Sequence, residues 1–440
     1  MAFALEKLPD PVLLDILAYV SQGNSRRLTK FRVMSRRLCD LLTPLVFLSI
    51  RSRWKSEKRC SEIMSDISSQ KTVVFRHTRS LSISTYEQSS LPEEQLANLI
   101  RLWNTLLISM HNLTSITWVF EDLKDNQIDW MNNLARNFGS HPTLTDFAMV
   151  VRDKLPPAFS LKPLSRLHSF SFMWHIAIPV HPVLESEVAN LIARCHDLKR
   201  LRLNFPPRPM TVDSRPVLTE PHTLDGFFKG LSSLEEPLRL QRLLIIEGIL
   251  VHAEDFISNK RHFRFLEDLT IRLERRRTYD LDEIGRVFAT LRQEQILLKH
   301  ISLTNLHPPG IVEYISSYSG LVGLSIESRG DNRDDSPSLI HNLFIALKRH
   351  HYSLASLSFL AGQSSPYLEI PRTHLSENTE LFSALEHLEI EVHTRDEDVR
   401  RNDAGHLVGV RFQHRVAKAD GSIQCTVQLA GNCDEISSTT

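Results

Sequence analysis

Apolar and polar residues alternate along this chain in two different rhythms. Near the start the rhythm is helical: Leu13, Ile16, Leu17 and Val20 recur at three- and four-residue spacing, which gathers them into one stripe. Pro9 and Pro11 stand at the head of this segment, where a missing backbone N–H costs nothing. A second amphipathic helix is predicted from Phe31, Met34, Leu38 and Leu41 or Leu42. Helices this short do not bury their apolar surface alone, so they are expected to dock on a partner or on the rest of the chain.

From about residue 76 the rhythm changes. A leucine, two variable positions, an apolar residue, one variable position and a further apolar residue recur. The copies are Leu113-x-x-Ile116-x-Trp118, Leu144-x-x-Phe147-x-Met149, Leu167-x-x-Phe170-x-Phe172 and Leu198-x-x-Leu201-x-Leu203. Further copies begin at Leu240, Leu266, Leu298, Leu321, Leu354 and Leu385, with a weaker one at Leu81-x-Ile83. Each copy ends in the period-two alternation of a half-buried strand. Helical stretches are predicted between them, at Leu96 through Ile108, Glu185 through Ala193, Leu281 through Leu291 and Leu339 through Leu347. The repeat length varies from 23 residues (Leu144 to Leu167) to 42 (Leu198 to Leu240).

The first fifty residues resemble an F-box. The matches are Leu8-Pro9, Leu13, Leu14 and Ile16-Leu17, then Phe31-Arg32-Val33-Met34-Ser35-Arg36-Arg37. The link Ser21 through Arg27 is about three residues longer than the family's usual link, and Phe31 stands where leucine is usual. The later copies resemble leucine-rich repeats. Standard repeats carry Asn or Cys three positions after the last strand residue. Here that place holds Glu121, Arg152, His175, Pro206, Gly248, Glu274, Leu306, Arg329, Gly362 and His393, so the turns must be satisfied by backbone or water.

The expected fold class is therefore α/β: a short N-terminal helical F-box, then an irregular leucine-rich-repeat-like solenoid with a concave parallel sheet and outer helices. The expected division is 1–50 for the F-box-like domain, 51–75 for a connector, 76–394 for the solenoid and 395–440 for a C-terminal hairpin or cap with a disordered tail. The hairpin is read from Val408, Val410 and Phe412 and from Ile423, Cys425, Val427 and Leu429, which alternate around Ala419-Asp420-Gly421. Exposed loops are expected at 206–221 and 329–335, where prolines and mixed charge cluster.

Composition narrows the function. Lys plus Arg and Asp plus Glu are 52 each, so no global field favours nucleic acid or an anionic membrane. Five scattered cysteines form no Cys-x-x-Cys pair, which fits a reducing compartment and indicates neither a disulfide framework nor a zinc site. Acidic residues interrupt the N-terminus, so a signal peptide is not expected, and no apolar run approaches a membrane span. A soluble protein of the cytoplasm or nucleus is expected.

No Gly-rich phosphate loop, His-Glu-x-x-His or Gly-x-Ser-x-Gly motif is present. No catalytic residue, metal or cofactor is expected, and the chain is not expected to be an enzyme. His350-His351 ends a predicted amphipathic helix with Lys348 and Arg349, where cations suit the carbonyl end of the helix dipole. A binding face is easier to argue. The variable strand positions point away from the core, small and hydroxylic early, acidic at the end (Glu389, Glu391), with Arg200, Arg202, Arg242 and Arg272 in the middle. That basic stretch would suit a partner with an acidic or phosphorylated segment.

An F-box followed by leucine-rich repeats looks like the substrate-recognition subunit of an SCF (SKP–cullin–F-box) ubiquitin ligase. The resemblance implies that Leu8, Pro9, Leu13, Ile16, Leu17 and Val33 meet the SKP-family adaptor, and through it a cullin scaffold, while the solenoid holds a protein substrate. A second reading keeps the repeats as an interaction scaffold outside any ligase, with the N-terminal helices as a cap.

Overall fold

The computed structural model describes residues 7–21, 25–52, 74–84, 93–121, 128–152, 155, 158–175, 182–205, 222–272, 281–304, 310–328, 336–361, 385, 387–392, 410–416 and 423–429. The expected loops at 206–221 and 329–335, most of the connector and the tail beyond 429 lie outside them. The chain divides into two compact units, Met1–Leu198 and Lys199–Thr440.

The first unit opens with three helices, α1 (Asp10–Ser21), α2 (Ser25–Arg32) and α3 (Arg36–Val46). The single helix expected through Phe31 and Leu42 is broken at Val33 to Ser35, because the Ser35 hydroxyl caps α3 by accepting the Leu38 N–H at 3.3 Å. The stretch read as a long link between two helices supplies the end of α1 and the start of α2. Leu13, Leu17, Leu28, Leu38 and Leu42 form a shared core, with Leu8, Leu14, Phe31, Leu41 and Val46 packed around it. A third helix is what lets so short a segment bury leucines from every member.

The chain leaves α3 directly into a strand. β1 (Ser49–Ser52), β2 (Ser80–Ser84), β3 (Ser115–Phe120), β4 (Asp146–Val151) and β5 (Ser169–Trp174) lie side by side and parallel. The helices α4 (Val74–His77), α5 (Glu93–Ser109), α6 (Ile128–Ser140) and α7 (Pro182–Arg194) complete this unit. Register places equivalent pattern residues in one row, Ile50, Leu81, Ile116, Phe147 and Phe170. Alternating burial along β2, β3 and β5 turns this row and the next inward. The helix layer covers that side: Trp118 of β3 meets Phe138 of α6 edge-on at 5.2 Å, and Phe147 stacks with Phe170 at 6.2 Å. In the short repeat between β4 and β5, Phe159, Leu161 and Leu164 fill the core without a helix among the described residues.

The second unit repeats the scheme. β6 (Arg200–Asn204) pairs with β8 (Arg242–Ile246), and β10 (Asp268–Arg272), β11 (His300–Thr304), β12 (Gly323–Ser328), β13 (Ser356–Ala361) and β14 (His387–Val392) follow in parallel. A two-residue pair, β7 (His222–Thr223) and β9 (Ile249–Leu250), forms a separate small sheet. β15 (Val410–Val416) and β16 (Ile423–Leu429) add antiparallel to β14 as a hairpin. The helices are α8 (Leu224–Phe228), α9 (Ala253–Ser258), α10 (Lys260–Phe263), α11 (Leu281–Gln293), α12 (Gly310–Ser316) and α13 (Ser336–Leu347). Phe344 of α13 lies 5.8 Å from Phe359 of β13, which sets the helices against the pattern residues. The leading leucines Leu240, Leu266, Leu298, Leu321, Leu354 and Leu385 are all buried. Full burial of each stabilises by roughly 1.5–3 kcal/mol.

Backbone hydrogen bonds tie neighbouring repeats together at the starts of the strands. Within each unit a single carbonyl of one repeat accepts two amides of the next. Arg79 O takes Thr114 N and Ser115 N, and Gln241 O takes Glu267 N and Asp268 N, each between 2.8 and 2.9 Å. At the positions where standard repeats carry Asn or Cys, Arg152 and Glu121 pair with each other at 2.5 Å. Polar side chains also tie each repeat to the turn before it. Tyr314 accepts Leu298 N–H at 3.0 Å and donates to Ile296 O at 2.6 Å, while Arg261 donates to Leu231 O and Leu234 O. Glu187 accepts Leu161 N–H at 2.9 Å and Glu283 accepts Ala253 N–H at 3.1 Å. These bonds satisfy orphan backbone groups that turns and helix ends leave.

Candidate functional site

Two surfaces are candidates, one in each unit. On the N-terminal bundle, burial of Leu13 and Leu17 turns the opposite side of α1 outward. Pro9, Val12, Ile16 and Tyr19 then fall at three- and four-residue spacing along that side, and all are exposed. Val12 is 44% exposed, Ile16 37% and Tyr19 86%. At the α2–α3 corner Val33 is 86% and Met34 55% exposed. Arg37, the second residue of α3, donates to Asp10 at 2.5 Å and to Leu8 O at 2.6 Å, which fastens the start of α3 to the start of α1.

The six expected adaptor residues separate on this bundle. Pro9, Ile16 and Val33 are exposed and Leu8 is half-buried. Leu13 and Leu17 are buried in the bundle's own core, so they hold the helices together rather than present a contact. The spacing of Leu13, Ile16 and Leu17 suits one stripe, but a third helix divides them between an inner and an outer side. Val12, Tyr19 and Met34 were not among the expected residues. The signal for Val12 and Tyr19 was their place four and three residues from Ile16, on the side away from the leucines.

In the second unit the open face of the sheet carries the four expected arginines. Arg200, Arg202, Arg242 and Arg272 all stand at the outward positions of β6, β8 and β10 and are exposed. Register aligns Arg200 with Arg242 and Asp268, Arg202 with Leu244 and Thr270, and Asn204 with Ile246 and Arg272. Arg242 Nε lies 2.6 Å from Asp268 Oδ2 in an ion pair, and His300 Nε2 lies 4.0 Å from Asp268 Oδ1. Asp268 is the acidic residue that the arginine list alone omits, and it joins Arg242 to the next strand. Leu244 and Ile246 lie half-buried between the arginines. Further along, Thr304 donates to Glu327 at 3.3 Å.

The histidine pair has a structural explanation. His350 is buried; its Nδ1 accepts Leu321 N–H at 3.0 Å and its Nε2 lies 3.0 Å from Ile315 O. Both ring nitrogens are thus committed to the segment from α12 to the start of β12. Burial lowers its pKa, and neighbouring Arg349 adds to the effect. Burial pushes the Cys195 thiol up to about 11, so it stays protonated at neutral pH. Among the described residues no group of three or more His, Cys, Asp or Glu could hold a metal ion. No described helix is long and apolar enough to cross a membrane.

No protein-family model matches the chain, and no curated protein matches it.

Proposed function

We propose that this chain is the substrate-recognition subunit of an SCF-type ubiquitin ligase. The helical bundle docks on the SKP-family adaptor, which hangs from the cullin, and the repeats hold a protein substrate. The observation that carries this reading is the exposed apolar stripe Pro9, Val12, Ile16 and Tyr19 on a bundle that has already closed its own core. Such a stripe has no internal use, and apolar helix faces are what a helical partner buries. The chain itself does no bond chemistry. Its contribution is to hold the substrate near the loaded conjugating enzyme, a matter of proximity and orientation.

The direct test is copurification with the SKP-family adaptor. Ile16→Asp with Val33→Asp alters two exposed side chains, so the fold should survive and adaptor recovery should fall to background. Unchanged recovery, with helicity intact by circular dichroism, would sink the reading.

The scaffold reading draws support from a different observation. β1 follows α3 without a break and pairs with β2, so the bundle sits at the start of the first unit's sheet as a cap would. A cap with no ligase role predicts that the wild-type chain recovers no adaptor at all.

A further inference from the structure

The geometry points to the open face of β6, β8 and β10 as a docking site for an extended acidic segment of a partner protein, one carrying several Asp or Glu carboxylates. This names the class of segment the proposed receptor would hold, and rests on that reading for its biological role. The nine outward positions hold four arginines against one aspartate (Arg200, Arg202, Arg242 and Arg272 against Asp268), an excess of three positive charges. The chain as a whole has 52 basic and 52 acidic residues. The excess is therefore local, and it lies on a surface with alternating side chains already aimed outward.

Three features select the occupant. First, the arginines are dispersed. Arg200 and Arg272 stand four residues apart along the strands and two strands apart across them. At roughly 3.3 Å per residue and 4.8 Å per strand, their Cα atoms are about 16 Å apart. That span exceeds a single phosphate and suits separate charges spaced along an extended chain. Second, the face already shows the chemistry: the Asp268 carboxylate pairs with the Arg242 guanidinium at 2.6 Å. Third, Leu244 and Ile246 are half-buried among the cations and offer apolar contact to side chains between the carboxylates. None of the nine outward positions is aromatic, so the stacking platform of a single-stranded nucleic-acid site is missing from this face.

The test uses the full chain and a fluorescein-labelled poly-glutamate peptide, read by anisotropy. Wild type should bind, and added salt should weaken binding. Arg202→Glu with Arg272→Glu should weaken it by roughly tenfold or more. Arg202→Gln with Arg272→Gln should give a smaller loss. Arg292→Glu, at the end of α11 in the helix layer, should leave it unchanged. Equal binding by wild type and the Arg202/Arg272 variants would overturn the proposal, as would no binding by wild type. Tighter binding of a phosphoserine peptide or of single-stranded DNA would overturn it too. Adaptor recovery is measured on the same variants. Peptide binding without adaptor leaves this proposal standing and defeats the ligase reading; adaptor without peptide binding does the reverse.

Discussion

His350, three residues past the end of α13, accepts the backbone N–H of Leu321, just ahead of β12, at 3.0 Å, with its other ring nitrogen 3.0 Å from Ile315 O of α12. This arrangement fixes the neutral tautomer with the proton on Nε2, donated to the Ile315 carbonyl. The ring is 1% exposed and also lies 5.1 Å from Tyr318 in an edge-on contact. Removing it by His350→Ala would leave a buried N–H and a buried C=O without partners, as well as a void. The expected cost is about 2–4 kcal/mol of stability, readable by urea denaturation.

The same geometry predicts a pH dependence. Burial lowers the pKa values of His350, His262 and His141 below the ordinary 6.5. Below that pH the unfolded chain binds protons that the folded chain refuses, so stability falls on acidification. The thermal midpoint should be flat above about pH 7 and decline as pH drops through 6.5 toward each lowered value. His350→Gln should make the decline shallower. A midpoint that rises between pH 7 and pH 5.5 would contradict these assignments.

Two glycines set the distance between neighbouring helices. A Cβ built on Gly310 of α12 would come 2.6 Å from the carbonyl oxygen of Gly285 in α11, a backbone atom that has nowhere to go. Gly310→Ala should therefore push the helices apart and cost about 1–3 kcal/mol. The change should lower the denaturation midpoint without changing peptide binding to the sheet's open face.

The repeats were legible because each copy from Leu113 to Leu354 buries its leading leucine and its two alternating residues. A run from Leu240 to Leu385 then falls into register strand by strand. The first strand was not, because in register Ser52 of β1 takes the position that Ile83 holds in β2 and Trp118 in β3, so the apolar pattern is broken there. The break between α2 and α3 was hidden by Val33 and Met34, whose apolar character continues a helical pattern that Ser35 ends. Helix α6 carries helical apolar spacing in Trp130, Met131, Leu134 and Phe138, but its signal is weak beside the two strand copies that flank it. On the open face the arginines were readable from alternation alone. Their tie to Asp268 depends on which strands become neighbours, which spacing within one repeat does not encode.

Leu13 and Ile16 lie three residues apart on α1 and carry opposite burdens. Leu13 is 0% exposed in the bundle core and Ile16 is 37% exposed on the outer stripe. Leu13→Ala removes buried side-chain volume and should cost about 2–5 kcal/mol, enough to melt so small a bundle and any docking with it. Ile16→Asp touches solvent and should leave helicity and the thermal midpoint nearly unchanged. If the outer stripe is the adaptor-binding face, Ile16→Asp abolishes adaptor recovery without destabilisation, whereas Leu13→Ala loses both together. Loss of helicity in Ile16→Asp would place that side chain in the core and remove the outer stripe from contention.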